Sequence, residues 1–270
     1  MKLNYRRTFL VGLAFMAISA FWQMYDTVIP LMLRNIFGIK DTASGVIMAL
    51  DNVLALFMLP IFGMLSDKAG RRIPFIVCGT FVAVASWMLI PVAGASKSFV
   101  LFFAALAVLL LSMGTFRSPA VALMPDVTPK PLRSKGNAVI NLMGTVGGIY
   151  TLIMIKLLIK ENANAADVNY LPIFIAVASL MAICAIVLSA AVNERKLKAE
   201  TDAVNDALDA ENDELSGGTN ERSGGKLPGP MLRSLMLILV SVFLWYMGYN
   251  AVTTAYSKYA TSVWGMELGN

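Results

Sequence analysis

The stretch GMLSDKAGRRIPFI, Gly63 to Ile76, is a short polar turn set between two long apolar runs. Each of its features has a physical use in that place. Gly63 lets a neighbouring helix come close, and Asp67 suits a helix amino terminus. Gly70 permits a left-handed turn. Arg71 and Arg72 hold their loop on one side of a bilayer and can pair with acids. The flanking runs, near Ala43–Leu65 and Ile73–Ala93, each reach the roughly 20 residues that cross a bilayer as helix. The least such a turn does is fix which way the two helices run.

Working outward, five further runs have the same character: Thr8–Leu33, Phe99–Met124, Gly136–Leu158, Leu171–Val192 and Met231–Tyr256. The composition agrees, with 57% hydrophobic and 14% charged residues, against about 25% charged in a soluble domain. Side chains that face lipid are apolar as well as those that face protein. The net charge of +5 does not mark a nucleic-acid surface, because the basic residues sit in short clusters between apolar runs. Histidine is absent and the two cysteines, Cys78 and Cys184, lie inside apolar runs. They read as small buried hydrophobes, with no metal site or cofactor expected. The first run is too long for a cleaved leader and has no small-residue cleavage site.

Lys and Arg set the orientation. Lys2, Arg6, Arg7, Lys68, Arg71, Arg72, Lys130, Arg133, Lys135, Arg195, Lys196, Lys198, Arg222, Lys226 and Arg233 fall on one side. Only Arg34, Lys40, Lys97, Lys160 and Lys258 fall on the other. The amino terminus and the even-numbered connections are therefore expected in the cytoplasm of a multi-pass cell-membrane protein. Residues 1–193 form a six-span unit, 194–230 a linker, and 231–270 open a second unit with the seventh span. The linker is polar, acidic and rich in Ala and Asn, with Gly pairs at Gly217 and Gly224, so a flexible or partly helical segment is expected. Span seven echoes span one: Trp245-Tyr246, Tyr249-Asn250 and Val252 repeat the spacing of Phe21-Trp22, Tyr25-Asp26 and Val28. Two parallel repeats account for that order. A second repeat that begins at the seventh span is expected to continue beyond Asn270, so the sequence reads as truncated.

Ionisable residues inside spans cost about 2.5–3.5 kcal/mol each, and Asp26, Asp51 and Arg117 are the three well inside. At about 1.5 Å per residue, Asp26 and Asp51 fall in the outer half of the bilayer and Arg117 in the inner half. Direct pairing of Arg117 with either acid is not expected. Each acid reads either as a proton-coupling carboxylate and hydroxyl acceptor or as a structural hydrogen-bonding group. Arg117 reads either as a cargo contact or as an interhelical partner. Trp22 and Asp26 stand one turn apart, next to Tyr25, and Asn52 follows Asp51. Asn137 and Asn141, and Tyr246, Tyr249, Asn250 and Thr253, make comparable polar and aromatic faces. Aromatic faces against ring C–H groups, with amides or carboxylates on hydroxyls, suit a sugar. The alternatives are interfacial aromatics and interhelical amide bonds. Gly144 and Gly148 read as a helix-packing pair.

The Gly63–Ile76 turn, its place and the span count resemble the signature loop of the major facilitator superfamily. FWQMYDTVIPLML (Phe21–Leu33), MALDNVLALFMLPIFGMLSDKAGRRIPF (Met48–Phe75), FRSPAVALMPDVTPKPLRSKGNAVINLMG (Phe116–Gly144) and LWYMGYNAV (Leu244–Val252) resemble its sucrose-carrier-like branch and bacterial glycoside-pentoside-hexuronide cation symporters. The resemblance implies an all-α polytopic fold: the six-helix amino-terminal half plus the first helix of the second. It implies a secondary carrier, moving a sugar or glycoside with a cation, a proton first of all, by alternating access. It further implies that Asp126 pairs with Arg71. Gly63, Asp67, Gly70, Arg71, Arg72, Asp126 and Arg133 would then form a cytoplasmic gate. Two other readings stay open: efflux of another small organic solute, and a non-transporting sensor on a carrier fold. No cluster of nucleophile, base and orienting group argues for an enzyme.

Overall fold

The computed structural model describes residues 2–159, 168–215 and 229–265. Lys160, Asn164, Gly217, Gly224, Arg222 and Lys226 lie outside the described residues. The described chain is helical, with no strand among its elements. The first six spans are α1 (Tyr5–Asn35), α2 (Asp41–Ala69), α3 (Ile73–Ala95), α4 (Phe99–Asp126), α5 (Arg133–Leu158) and α6 (Leu171–Ala191). They are followed by α7 (Glu194–Leu215) and α8 (Gly229–Trp264). Seven of these helices, all but α7, are long and apolar enough to cross a membrane. Their starts and ends fall within a few residues of the apolar runs, except that α8 continues two turns past Tyr256. Local chemistry sets several boundaries. Asn4 and Ser98 cap α1 and α4 by accepting from Arg7 N (3.2 Å) and Leu101 N (3.4 Å). Gly70 ends α2 with φ +63°, the left-handed turn its position called for.

The core is built around α1, which packs on α5 and α6, while α3 packs on α4 and α6 and α2 leans on α4. Phe21, Trp87 and Phe174 meet at its centre, with ring centroids 5.0 and 4.4 Å apart. α2 and α8 carry mostly exposed apolar side chains, as helices facing lipid or another membrane-embedded surface do. The α1–α5 seam depends on glycine. A Cβ on Gly147 would overlap the Met16 carbonyl oxygen, and one on Gly12 would lie 2.7 Å from Met143. Of the expected packing pair, Gly144 is tight in the seam, 2.8 Å from Ser19 Oγ for an added Cβ, and Gly148 is looser at 3.7 Å from Gln23, while Gly147 makes the backbone contact. Thr151 seals the seam by donating to the Ala20 carbonyl oxygen at 3.0 Å.

Residues 194–215 of the linker are not featureless. Asn193 caps α7 by accepting from Lys196 N at 3.3 Å, and Glu194, Leu197, Thr201 and Asn205 form one buried edge. One Leu and three polar residues at helical spacing supply that edge, and the Ala residues of α7 are exposed helix formers. The helix lies across the ends of the bundle where α1 begins, α2 turns into α3 and α4 turns into α5. This is called the linker end below.

Candidate functional site

Two polar regions stand out, one at mid-bundle and one at the linker end. Mid-bundle, Ser19, Trp22, Gln23, Asp26 and Thr27 are the polar and Trp positions of α1 that remain only half-buried, with Phe15 and Met16 beside them. These seven fall within an arc of about 140° at 100° per residue. Neighbouring helices cover nearly all the rest of the span between Val11 and Leu33. Every Ser, Thr, Gln and Asp between Phe9 and Leu33 is on this open stripe. Tyr25, expected beside them, is fully buried: it stacks on Phe21 at 5.8 Å and stands edge-on to Trp22 at 5.3 Å.

Arg117 of α4 lies over the Trp22 ring, its Cζ 5.3 Å from the centroid, a cation–π placement. Trp22, Asp51 and Arg117 line one cleft with Leu54, Met58 and Gly114. A Cβ on Gly114 would lie 2.9 Å from Met58, so the glycine sets how closely α2 and α4 approach. Arg117 makes no ion pair with Asp26 or Asp51, but it lines one cleft with Asp51, closer to that acid than the depth estimate placed it. Asp51 accepts from the Asn52 side chain at 2.9 Å. The remaining expected residues are not gathered in. Asn52, Asn137 and Asn141 are exposed. Tyr249 and Asn250 are exposed on α8, where Trp245 and Tyr249 stack at 5.6 Å much as Phe21 and Tyr25 do.

Hydroxyls and amides in the spans are treated differently. Ser86, Ser112, Thr115 and Thr145 donate to the carbonyl four residues back in their own helices. The Asp26 carboxylate and the side chains of Arg117 and Asn141 make no hydrogen bond to a described residue. Sequence reasoning passed over Gln23, which shares that open stripe. Its signal was available in the i, i+4 relation to Thr27.

At the linker end Asp67, Asp126, Glu194, Glu200 and Asp209 each have a partner. Arg72 is buried, and its Nε donates to Asp126 at 2.9 Å. Its other nitrogens donate to Asp67, to Ser66 Oγ and, at 3.3 Å, to the Gly63 carbonyl oxygen. Burial acts to lower the guanidinium pKa, but the bond and charge of Asp126, then those of Asp67, outweigh it and raise the pKa. The partner of Asp126 is therefore Arg72. Arg71 is exposed and makes no ion pair with a described residue. The reason is geometric: Arg72 is the cap residue of α3 and turns inward. Asp67 does not take a helix amino terminus either. Glu194 does, accepting from the backbone N–H of Arg72 and, at 2.9 Å, from that of Ile73. Arg133 stands apart from this cluster and donates to the Pro125 and Thr128 carbonyls at 3.0 and 3.3 Å, closing the α4–α5 turn. Gly63 has the expected role, since a Cβ there would lie 3.0 Å from Ser118 Oγ of α4.

A model of the family described as Major Facilitator Superfamily matches residues 11–269. The chain belongs to that superfamily. Among curated proteins it is similar to the citrate-proton symporter of Klebsiella pneumoniae, 23% identical over 63% of this chain and 38% of the symporter. It is also similar to the glycine betaine/proline/ectoine/pipecolic acid transporter OusA of Dickeya dadantii, 27% identical over 63% of this chain and 34% of OusA. The chain thus spans little more than a third of the length of these relatives. Membership of the superfamily and seven spanning helices make this a multi-pass membrane protein. Both relatives are named as transporters.

Proposed function

We propose that this major-facilitator chain serves a secondary active transporter, and that its cargo is a sugar or glycoside moved with a proton by alternating access. The observation that supports it is the α1 stripe: Ser19, Gln23, Asp26 and Thr27 gather on one open face beside a half-buried indole. Lipid cannot satisfy such groups, whereas a water-filled cavity or a hydroxylated cargo can. Trp22 would take the C–H face of a ring, Asp26 its hydroxyls or the proton, with Asp51 as second carboxylate. The Arg72–Asp126 pair at the linker end would hold one conformation and open in the other.

A second reading has its own support. Arg117 lies over an indole and makes no ion pair with a described carboxylate, and the similar carriers are named for citrate and for betaines and amino acids. An organic acid or zwitterion would place its carboxylate on Arg117. Uptake of radiolabelled sucrose, citrate and glycine betaine by proteoliposomes holding the intact protein, under an imposed pH gradient, separates the two. Accumulation of sucrose that a protonophore abolishes supports the first. Accumulation of citrate or betaine with none of sucrose moves the assignment to the second. Uptake of none supports a sensor.

The same proposal puts the amino terminus and linker in the cytoplasm, on the strength of the basic asymmetry. Single cysteines at positions 217 and 164, after replacement of Cys78 and Cys184, test it with an impermeant reagent on intact cells. Labelling at 164 alone is expected, and labelling at 217 alone reverses the orientation.

A further inference from the structure

Arg71 belongs to the signature turn, yet it is Arg72 that makes the buried bonds, and Arg71 is left exposed. It does not stand alone. Arg71 and Arg195 line one open groove of about 390 Å³ where α3 begins and α6 runs into α7, with Ile73, Pro74, Ser189 and Asn193. Arg195 is exposed as well, and neither arginine makes an ion pair with a described residue. The only acid among the lining residues is Glu194, and its two oxygens accept from the backbone N–H groups of Arg72 and Ile73. Two like charges thus share one groove with no free counter-charge beside them, and they repel.

The groove sits where two spans end. Ile73 opens the third spanning helix and Ala191 closes the sixth, and the two helices pack on each other. Away from the groove the pair shows an apolar outer wall. Pro74, Cys78, Phe81 and Val82 are exposed along α3, as are Ile183, Ile186 and Val187 along α6. Spacings of three and four residues put each set on one face of its helix. Any lipid would cover this wall, and any anion would answer the arginines. A molecule with an anionic head and acyl chains answers both at once.

We propose that the α3–α6 groove is a binding site for an anionic glycerophospholipid, with its phosphate between Arg71 and Arg195 and its acyl chains along the exposed faces of α3 and α6. The site is independent of the cargo. On the orientation proposed above it meets the inner leaflet, where anionic lipids concentrate and basic pockets between spans take up their headgroups. It also touches the place where α7 is fastened, because Glu194 lines the groove while it holds the α3 terminus. A phosphate between the arginines relieves their repulsion, so lipid binding stabilises that junction.

The test uses the intact protein purified in a non-ionic detergent. Its thermal unfolding is followed as dioleoyl phosphatidylglycerol, dioleoyl phosphatidylcholine or glycerol 3-phosphate is added. Phosphatidylglycerol should raise the melting temperature saturably, and the other two should not. Each basic residue at an anionic lipid is worth roughly fivefold in affinity, so Arg71→Ala combined with Arg195→Ala should weaken apparent binding roughly 25-fold. Lys2→Ala combined with Lys135→Ala removes the same charge from exposed positions outside the groove and should change binding less than twofold. Without lipid all three proteins should melt together. If the arginine variant does not fold, Ala190→Trp, which fills the groove, decides by the same loss. Equal losses from the two double variants would reduce the effect to general surface charge. Phosphatidylcholine acting as strongly as phosphatidylglycerol would remove the role of the arginines, and glycerol 3-phosphate acting as strongly would make this a soluble-anion site. Each of these results overturns the proposal, as does no response to phosphatidylglycerol, and none of them bears on the cargo.

Discussion

The linker end and the α1 stripe use the same side chains to opposite ends. At the linker end Asp67 and Asp126 both close on Arg72, Glu194 closes on two backbone donors, and Glu200 and Asp209 pair with Arg7 and Lys130. Mid-bundle, Asp26 has no bond to a described residue, Asp51 has only its neighbour Asn52, and Arg117 leans on an indole. Yet only the second region lies well within the spanning helices, where an unpaired charge costs more. Paired charges where pairing is least needed, and unpaired ones where it is most needed, separate a fastening from a site.

The largest break in that comparison is Arg72→Ala. It removes the buried guanidinium that joins the partly buried Asp126 to the exposed Asp67, and loss of such charge-assisted hydrogen bonds costs about 1–3 kcal/mol. Thermal unfolding of the purified intact protein should register most of it, with uptake lost. Arg71→Ala should stay within about 0.5 kcal/mol, as expected of an exposed site. Equal effects at the two arginines would erase the distinction between them.

Next comes Asp26→Asn, which leaves an amide in the shape of the protonated acid. Accumulation against a gradient should fall to none while downhill exchange continues, because the neutral form can still cycle. If that variant accumulates cargo and Asp51→Asn does not, the coupling role passes to Asp51. If both accumulate normally, neither acid is the coupling group.

The seam gives a third, smaller contrast. Gly147→Ala should cost about 1–3 kcal/mol through overpacking against the Met16 backbone. Gly148→Ala should leave folding stability within about 0.5 kcal/mol. A reversal would move the close contact, and with it the open side of α1.

Smallest is Lys130→Ala. The pair with Asp209 is half-exposed and contributes about 0.2–1 kcal/mol. Its loss should show as faster hydrogen exchange confined to the last turns of α7, with α3 unaffected. Protection lost evenly along α7 would mean the helix attaches as one block.

The spans were legible because a run of about 20 apolar residues has few other uses, and Gly63 and Gly70 were legible because turns and close contacts have few other residues. Which of two adjacent arginines turns inward was not legible, since that depends on where α3 begins, within a residue. The burial of Tyr25 was hidden for the same kind of reason: about 60° around the helix from Trp22, it touches that ring from the core side. Gly147 was hidden by its neighbours, because spacing alone cannot say which glycine of three meets a backbone. The α7 edge was masked by charge. Its few apolar positions make a face only once the bundle beneath supplies Arg7, Lys130 and the α3 terminus.

The attachment of α7 is graded along its length. Glu194 grips buried backbone, Leu197, Thr201 and Asn205 are covered, and Asp209 holds only a half-exposed lysine. A pull arriving from the α8 side would therefore peel the helix from its far end, one turn at a time. Each turn that let go and straightened would lengthen the tether by roughly 6–7 Å, the difference between a helical turn and the same residues extended. Seen this way the linker is a strap with slack stored in it, paid out in steps, and the α3 terminus feels the load last.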